Sequence, residues 1–174
     1  MAEFLKVGEV LEGLHIKEDM VGAEFGCGSA VFTVALAKKM PKGKVYALDI
    51  QEEKLSALKG RLAKEGIHNV SMIHCDLEAL GGSTLQDDSV DVVLIPTVLF
   101  QAENKSAMIN EGKRVLKKAG QLLIIDWLKK GPFSPRSGMV SPDEIKKVTE
   151  GMGLSLKNES AVGDYHYALL FSKE

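Results

Sequence analysis

The sequence has few of the features that mark secreted, metal-binding or membrane-spanning proteins. Its 174 residues include two cysteines, Cys27 and Cys75, which are too far apart to form a C-x-x-C pair. This excludes a disulfide framework and predicts no metal site. No apolar run approaches the length of a transmembrane helix, and the first residues lack the apolar core of a signal peptide. We therefore expect a cytoplasmic protein without a membrane span.

An excess of positive charge is also missing. The 22 basic and 24 acidic side chains leave a formal charge of −2, so no overall basic field attracts nucleic acid. Hydrophobic residues make up 45% and charged residues 26%, which is ordinary for a globular protein. The length suits one domain. We expect a short helical segment over residues 1–19 and a core over 20–174.

The alternation of short apolar runs with amphipathic segments predicts the fold class. Predicted strands cover 20–25, 44–50, 70–74, 90–96, 121–127, 154–160 and 165–172, and predicted helices cover 3–14, 29–40, 52–65, 104–118 and 141–152. This order indicates an α/β doubly wound, mostly parallel sheet of seven strands. The last two strands are joined too tightly for a crossover, so the final strand should run antiparallel.

The most informative segment is VGAEFGCGSA, over residues 21–30. An apolar strand containing Glu24 turns through Gly26 and Gly28 into a helix, and the next predicted strand reaches Asp49. Glycines of this kind let the backbone approach a nucleotide, and the second acid can bind a ribose. Val31 stands where a dinucleotide fingerprint has its third glycine. The Glu24 carboxylate would repel a diphosphate and favour a ligand that carries an ammonium and a sulfonium.

With these motifs the chain resembles the class I S-adenosylmethionine-dependent methyltransferases, which have a Rossmann-like fold. Within them it is most similar to the group related to the ubiquinone and menaquinone biosynthesis methyltransferases. The segments that carry the resemblance are residues 21–29, 44–49, 75–77, 87–93 and 114–117. The implied cofactor is S-adenosyl-L-methionine, and the implied product is S-adenosyl-L-homocysteine.

The resemblance also implies roles for individual residues. Glu24, Gly26 and Gly28 would line the methionine end of the cofactor, with Cys27 as a small neighbour. Asp49 would bind the ribose, Ile50 would pack on the adenine, and Asp76 would accept from the adenine amino group beside Leu77. Pro96 and Thr97 fall where the family has a substrate-facing motif after its fourth strand.

The catalytic residues are less clear from the sequence. Methyl transfer by direct displacement depends on alignment, and it needs a base only if the acceptor must lose a proton. His166 and Asp126 are the candidates, each with a purely structural alternative. Further substrate-side candidates are Thr97, Phe100, Phe133, Arg136 and Tyr165. We expect the N-terminal helix, the two loops over 96–102 and 127–140, and residues 165–166 to converge at one sheet edge. Residues 131–140 would form a mobile cover there.

Several functional hypotheses remain open at this point. The leading one is a methyltransferase that acts on a small-molecule or lipidic acceptor. A non-catalytic S-adenosylmethionine-binding protein or partner subunit is an alternative, because residues 99–102 lack the histidine that many relatives carry there. A protein or RNA methyltransferase with an open substrate site is a variant, although the acidic pI argues against RNA. An NAD-dependent enzyme is disfavoured by Val31. A homodimer is compatible with all of these.

Overall fold

The computed structural model describes residues 5–131 and 133–174, which form a seven-stranded sheet with helices packed around it. The helices are α1 (Val7–Glu12), α2 (Val31–Lys39), α3 (Glu52–Glu65), α4 (Lys105–Val115) and α5 (Pro142–Thr149). The strands are β1 (Val21–Phe25), β2 (Lys44–Asp49), β3 (Val70–His74), β4 (Val90–Pro96), β5 (Leu116–Trp127), β6 (Leu154–Val162) and β7 (His166–Lys173). A short 3-10 turn covers Leu99–Gln101.

The strand order places a crevice at one edge of the sheet. The order is β3-β2-β1-β4-β5-β7-β6, with β1 to β5 parallel and β7 antiparallel to both β5 and β6. The predicted antiparallel last strand is confirmed. From β1 the chain moves outward to β2 and β3, then returns to β4 on the other side of β1. This reversal is a topological switch point, where open α/β sheets bind ligands beside the carboxyl ends of their strands.

The core lies on both faces of the sheet, and β4 shows this most clearly. Val93 and Ile95 belong to a buried cluster with Met108 of α4. Val92 and Leu94 belong to the cluster on the opposite face, which α1 and α2 complete. Because alternate residues of a strand point to opposite faces, the continuous apolar sequence of β4 matches a strand that is covered twice.

The predicted bounds of α3, β3 and β4 agree with the structure, and those of the other elements differ, among them those of β5, α4, α1 and α2. Strand β5 begins at Leu116 rather than at 121, because Leu116 pairs with Val90 before the register shifts to Val92 and Gln121. The predicted helix therefore ends at Val115 rather than at 118.

The first two helices are also shorter than predicted. Helix α1 covers Val7–Glu12 instead of 3–14, and Phe4, which was expected on its apolar face, lies outside the described residues. Helix α2 begins at Val31 rather than at 29, because Ala30 adopts a left-handed conformation with φ of 65°. Among the described helices, none has the length and apolar character needed to cross a membrane.

Candidate active site

The switch point opens into a cavity of about 1060 Å³. Loops that follow β1, β2, β3 and β4 supply most of its lining. All nine residues that were expected at the cofactor lie there: Glu24, Gly26, Cys27, Gly28, Asp49, Ile50, Asp76, Leu77 and Pro96. Three of the five segments that carry the resemblance, 21–29, 44–49 and 75–77, therefore meet at one place in the fold.

The turn after β1 is built tightly against its neighbours. The amide nitrogens of Gly26 and Cys27 both donate to the carbonyl of Leu48 in β2, at 2.8 and 3.1 Å. Gly26 has a φ of +76°, and a Cβ added to it would lie 2.9 Å from Cγ2 of Val98 in the loop after β4. Only glycine fits this conformation and this space, so the first glycine of the motif has a structural reason.

We expect Gly26→Ala to destabilise the fold by roughly 2 kcal/mol, because alanine would be strained at positive φ and would displace Val98. Gly60→Ala is a matched control, because Gly60 lies in α3 with open space around its Cα. This control should stabilise by about 0.5–1 kcal/mol through helix propensity. Denaturant unfolding of both variants measures the difference. A Gly26→Ala variant as stable as the wild type would contradict this account of the turn.

Glu24 lies in β1 with only 2% of its surface exposed. Its carboxyl group accepts a hydrogen bond from the hydroxyl of Thr33 in α2. Burial raises the pKa of Glu24 to about 8; the Thr33 hydrogen bond opposes this rise, and the nearby Asp49 charge adds to it. At neutral pH the carboxyl group is therefore largely protonated, and a cation placed beside it would favour its ionised form.

Asp49 connects two of the loops that line the cavity. One carboxylate oxygen, Oδ2, accepts from the Gly28 amide at 3.1 Å, and the other, Oδ1, accepts from the Gln51 amide at 2.9 Å. The Cys27 Sγ lies 3.8 Å from Oδ2. These contacts fix the carboxylate at the end of β2 with lone pairs left for further donors, which is what ribose hydroxyls require.

The two cysteines both contribute neutral lining to the cavity. Burial raises the pKa of Cys27 to about 12, and burial likewise raises the pKa of Cys75 to about 11. Because the thiolate is the reactive form, neither thiol is an activated nucleophile at neutral pH. No group of three or more metal-binding side chains with suitable geometry occurs in the described ranges.

Glu78 contributes to the site but was missed at the sequence level. Asp76 accepts from the Glu78 amide at 2.9 Å. The Glu78 carboxylate accepts in turn from the backbone amides of Glu103 and Asn104. It therefore ties the loop after β3 to the start of α4. A lone acid in a turn carries no sequence signal for a contact between segments 25 residues apart.

The charge of the lining is strongly one-sided. Apart from Glu24, which is largely protonated, the cavity is lined by four carboxylates against one lysine, Lys54, in the described part of the chain; the four are Asp49, Asp76, Glu78 and Glu103. A ligand with a net positive charge gains from such a lining, whereas a diphosphate would be repelled.

His166 and Trp127 form the far side of the cavity. They pair directly in the β5–β7 ladder, and their ring centroids are 4.2 Å apart. Burial lowers the pKa of His166, so the imidazole is neutral at pH 7. A neutral imidazole can accept a proton. Thr97 and Gln101 lie on the same cavity surface, in the segment after β4; Gln101 was not singled out from the sequence.

Asp126 lies beneath the cavity rather than in its lining. It has no exposed surface, and its carboxylate accepts from the backbone amides of Phe100, at 3.3 Å, and Trp127, at 2.8 Å. Burial raises its pKa to about 6. The structure thus favours the alternative in which Asp126 holds loop amides. Phe100 is half-buried and packs against the core instead of lining the cavity.

The expected convergence at the sheet edge is found in part. Leu5 and Val7 of the N-terminal segment line the cavity together with the loop after β4, Trp127 and His166. Phe133, Arg136 and Tyr165 are not among the lining residues in the described part of the chain. Pro132 lies outside the described residues. The loop still follows β5 at the same edge as Gly26 and Asp49, so its role as a cover stays a prediction.

Comparison with known proteins agrees with this geometry. Residues 16–153 match the model of the methyltransferase domain family, and the chain belongs to that family. A solved S-adenosylmethionine-dependent methyltransferase from Aquifex aeolicus is similar over 98% of this chain and 90% of its own, with a TM-score of 0.88 and 26% identity. The expected Rossmann-like methyltransferase fold is confirmed.

Two curated relatives are similar in sequence. A demethylmenaquinone methyltransferase of Geobacillus stearothermophilus is 31% identical over 113 residues, which are 64% of this chain and 47% of that protein. Ribosomal RNA-processing protein 8 of Arabidopsis thaliana is 31% identical over 142 residues, which are 82% of this chain and 40% of that protein. The chain spans about half the length, or less, of these curated relatives.

Proposed function

We propose that this chain is an S-adenosylmethionine-dependent methyltransferase whose acceptor is a small or lipidic molecule. The observation that carries the proposal is the acid-lined cavity at the switch point, with Glu24 and Asp49 held on adjacent strands. The family and the fold support the cofactor. The demethylmenaquinone methyltransferase relatives support an acceptor of the quinol type. A cytoplasmic location and a homodimer stay predictions.

The lining residues fit the proposed cofactor. Bound S-adenosylmethionine supplies an electrophilic methyl group on a sulfonium. Glu24, in its ionised form, would pair with the ligand's ammonium group, and Asp49 would accept from the ribose hydroxyls. Ile50 is 61% exposed at the end of β2 and offers an apolar surface for the adenine ring. Asp76 and Leu77 would hold the outer edge of that ring.

On the acceptor side, Thr97, Gln101, Trp127 and His166 would position the molecule and exclude water. His166 is the candidate general base, because it is neutral at pH 7 and lies on the cavity surface. The indole ring of Trp127 beside it limits how the imidazole can turn. If the acceptor atom is a hydroxyl oxygen, the base would remove the proton of that hydroxyl. If the acceptor atom is a ring carbon of a quinol, the base would remove the proton of the quinol hydroxyl, which makes the ring carbon nucleophilic.

His166→Asn should lower turnover about 100-fold, because general-base catalysis contributes at least that much. The affinity for S-adenosylmethionine should stay within about twofold. Because burial lowers the pKa of His166, wild-type turnover should fall only at a pH below 6.5, the ordinary value of imidazole, and the variant should lack this limb. His68→Asn, on the exposed surface, is the control. Unchanged turnover in a folded His166→Asn variant would remove the residue from the mechanism.

The function itself is tested by transfer of a labelled methyl group. We expect label to enter a demethylated prenylnaphthoquinol or a total lipid extract. RNA is included as an alternative acceptor because the Arabidopsis relative is named a ribosomal RNA-processing protein, and it should remain unlabelled. Label in RNA alone would mean that the acceptor is RNA and not a small or lipidic molecule. Binding of S-adenosylmethionine without transfer to any of these substrates would favour the non-catalytic alternative.

A further inference from the structure

The segment after β5 differs in charge from the rest of the chain. Between Asp126 and Asp143 there are three cationic side chains, Lys129, Lys130 and Arg136, and no acidic residue. The whole chain has a formal charge of −2, so this concentration is hidden in the overall composition. We call residues 128–131 and 133–136 the basic loop. The adjoining β6–β7 turn contains an acid, Asp164, one residue before Tyr165, whose carbonyl accepts from the Leu128 amide.

The basic loop also exposes large apolar side chains. Phe133 has 74% and Leu128 has 46% of its surface exposed. Arg136 and Phe133 both lie on the exposed part of the loop, three residues apart. Apolar side chains interleaved with cations are typical of surfaces that insert into the headgroup region of a bilayer.

The loop is anchored beside two residues that line the cavity, Trp127 and His166. The Leu128 amide donates to the carbonyl of Tyr165 at 2.7 Å, one residue from His166. The Ser134 hydroxyl donates to the Gly131 carbonyl at 2.9 Å and accepts from the Gly131 amide at 3.0 Å. Trp127, which precedes the loop, lines the cavity. A surface bound by this loop would therefore lie next to the acceptor side of the site.

We propose that the basic loop docks on an anionic lipid surface and brings the cavity to a lipidic acceptor held there. The proposal rests on the proposed function, because a lipidic acceptor is what requires the site to reach a bilayer. Three cations near a charged bilayer complement its phosphate groups, and Phe133 and Leu128 would enter the apolar boundary below them. The acids that line the cavity would remain away from the lipid phosphates.

The test is co-sedimentation of the whole chain with vesicles of phosphatidylcholine that contain phosphatidylglycerol. We expect binding that weakens in high salt and is much weaker on pure phosphatidylcholine. K129Q/K130Q/R136Q should reduce the partition coefficient on the order of a hundredfold, and Phe133→Ser about tenfold. The control K39Q/K59Q/K118Q removes the same number of exposed charges elsewhere and should change the partition coefficient by less than about twofold.

Calorimetry with S-adenosylmethionine on the same variants separates this proposal from the proposed function. Unchanged cofactor affinity in the loop variants shows that they fold. The docking proposal would be overturned if the wild-type protein did not bind the anionic vesicles. It would also be overturned if the control variant lost as much vesicle binding as the loop variant. Loop-dependent binding to an RNA oligonucleotide in place of vesicles would overturn it too. Vesicle binding without cofactor binding would instead contradict the proposed function alone.

Discussion

Glu24→Gln should raise the free energy of unfolding at neutral pH and weaken the binding of S-adenosylmethionine at the same time. Glutamine keeps the size of the side chain and can still accept from the Thr33 hydroxyl. It cannot ionise, so it cannot pair with an ammonium group. We expect a loss of affinity of about 10- to 100-fold, which corresponds to one charged hydrogen bond of roughly 1.5–3 kcal/mol.

The gain in stability follows from the pKa of Glu24. The pKa is about 8 in the folded chain, against an ordinary value of 4.5 for a glutamate side chain. Between these two pH values the folded state holds a proton that the unfolded state has lost. The contribution of Glu24 to stability is therefore fully present below pH 4.5 and is lost as the pH rises towards 8. Glutamine has no proton to release on unfolding, so the variant does not lose stability over this pH range. We therefore expect Glu24→Gln to be more stable than the wild type by an amount on the order of 1–3 kcal/mol at pH 7.

Glu111→Gln is the matched control, because Glu111 is also a buried glutamate. Burial raises the pKa of Glu111, but Arg114, at 2.7 Å, and Ser83 outweigh burial and hold that pKa below its usual value. Its contribution is present at neutral pH and is lost as the pH falls through the folded pKa. This variant should destabilise by about 3 kcal/mol at pH 7. A Glu24→Gln variant that destabilises equally would contradict the account of Glu24.

Asp49→Asn should weaken S-adenosylmethionine binding by about 10- to 100-fold, because charged hydrogen bonds to the ribose would be replaced by neutral ones. The fold should lose only about 1 kcal/mol. The asparagine oxygen can keep one of the two amide contacts to Gly28 and Gln51. Calorimetry gives the affinity, and denaturant unfolding gives the stability.

Asp76→Asn serves as the comparison for Asp49→Asn. Within the described residues, the Asp76 carboxylate accepts from one backbone amide, that of Glu78, and adenine packing against Ile50 and Leu77 would remain. We expect a loss of less than about tenfold, since one hydrogen bond is weakened and the apolar contact is kept. An Asp49→Asn variant that is folded and binds with wild-type affinity would remove Asp49 from the proposed cofactor site.

The sequence predicted that the residues of the proposed cofactor site lie together, because local signals locate them, and the structure places them in one cavity. Glycines at a strand end and acids at the ends of parallel strands meet at one edge by topology alone. Helix ends are predictable where the capping residues decide them. Gly66 ends α3 at a φ of 66°, and Ser141 forms the capping box at the start of α5 together with Glu144.

The acceptor side was harder to predict because it depends on contacts between distant segments. Asp126 stands near a strand end like Asp49. Its carboxylate, however, accepts a hydrogen bond from the Phe100 amide in the 3-10 turn after β4. Phe133 and Arg136 lie in a loop whose sequence fixes no regular structure; both are exposed, and neither is among the cavity-lining residues. The bulge that starts β5 at Leu116 depends on pairing with Val90, which helical periodicity cannot show.

The central claim is that the acid-lined cavity binds S-adenosylmethionine, and thermal unfolding with three ligands tests it most directly. A ligand at about 100 times its dissociation constant stabilises the folded state by roughly 2.7 kcal/mol. For a chain of this size, that should raise the melting temperature by about 5–10 °C. We expect such a shift with S-adenosylmethionine and with S-adenosylhomocysteine, and none with NAD. A shift with NAD alone, or no shift with either of the first two, would contradict the claim.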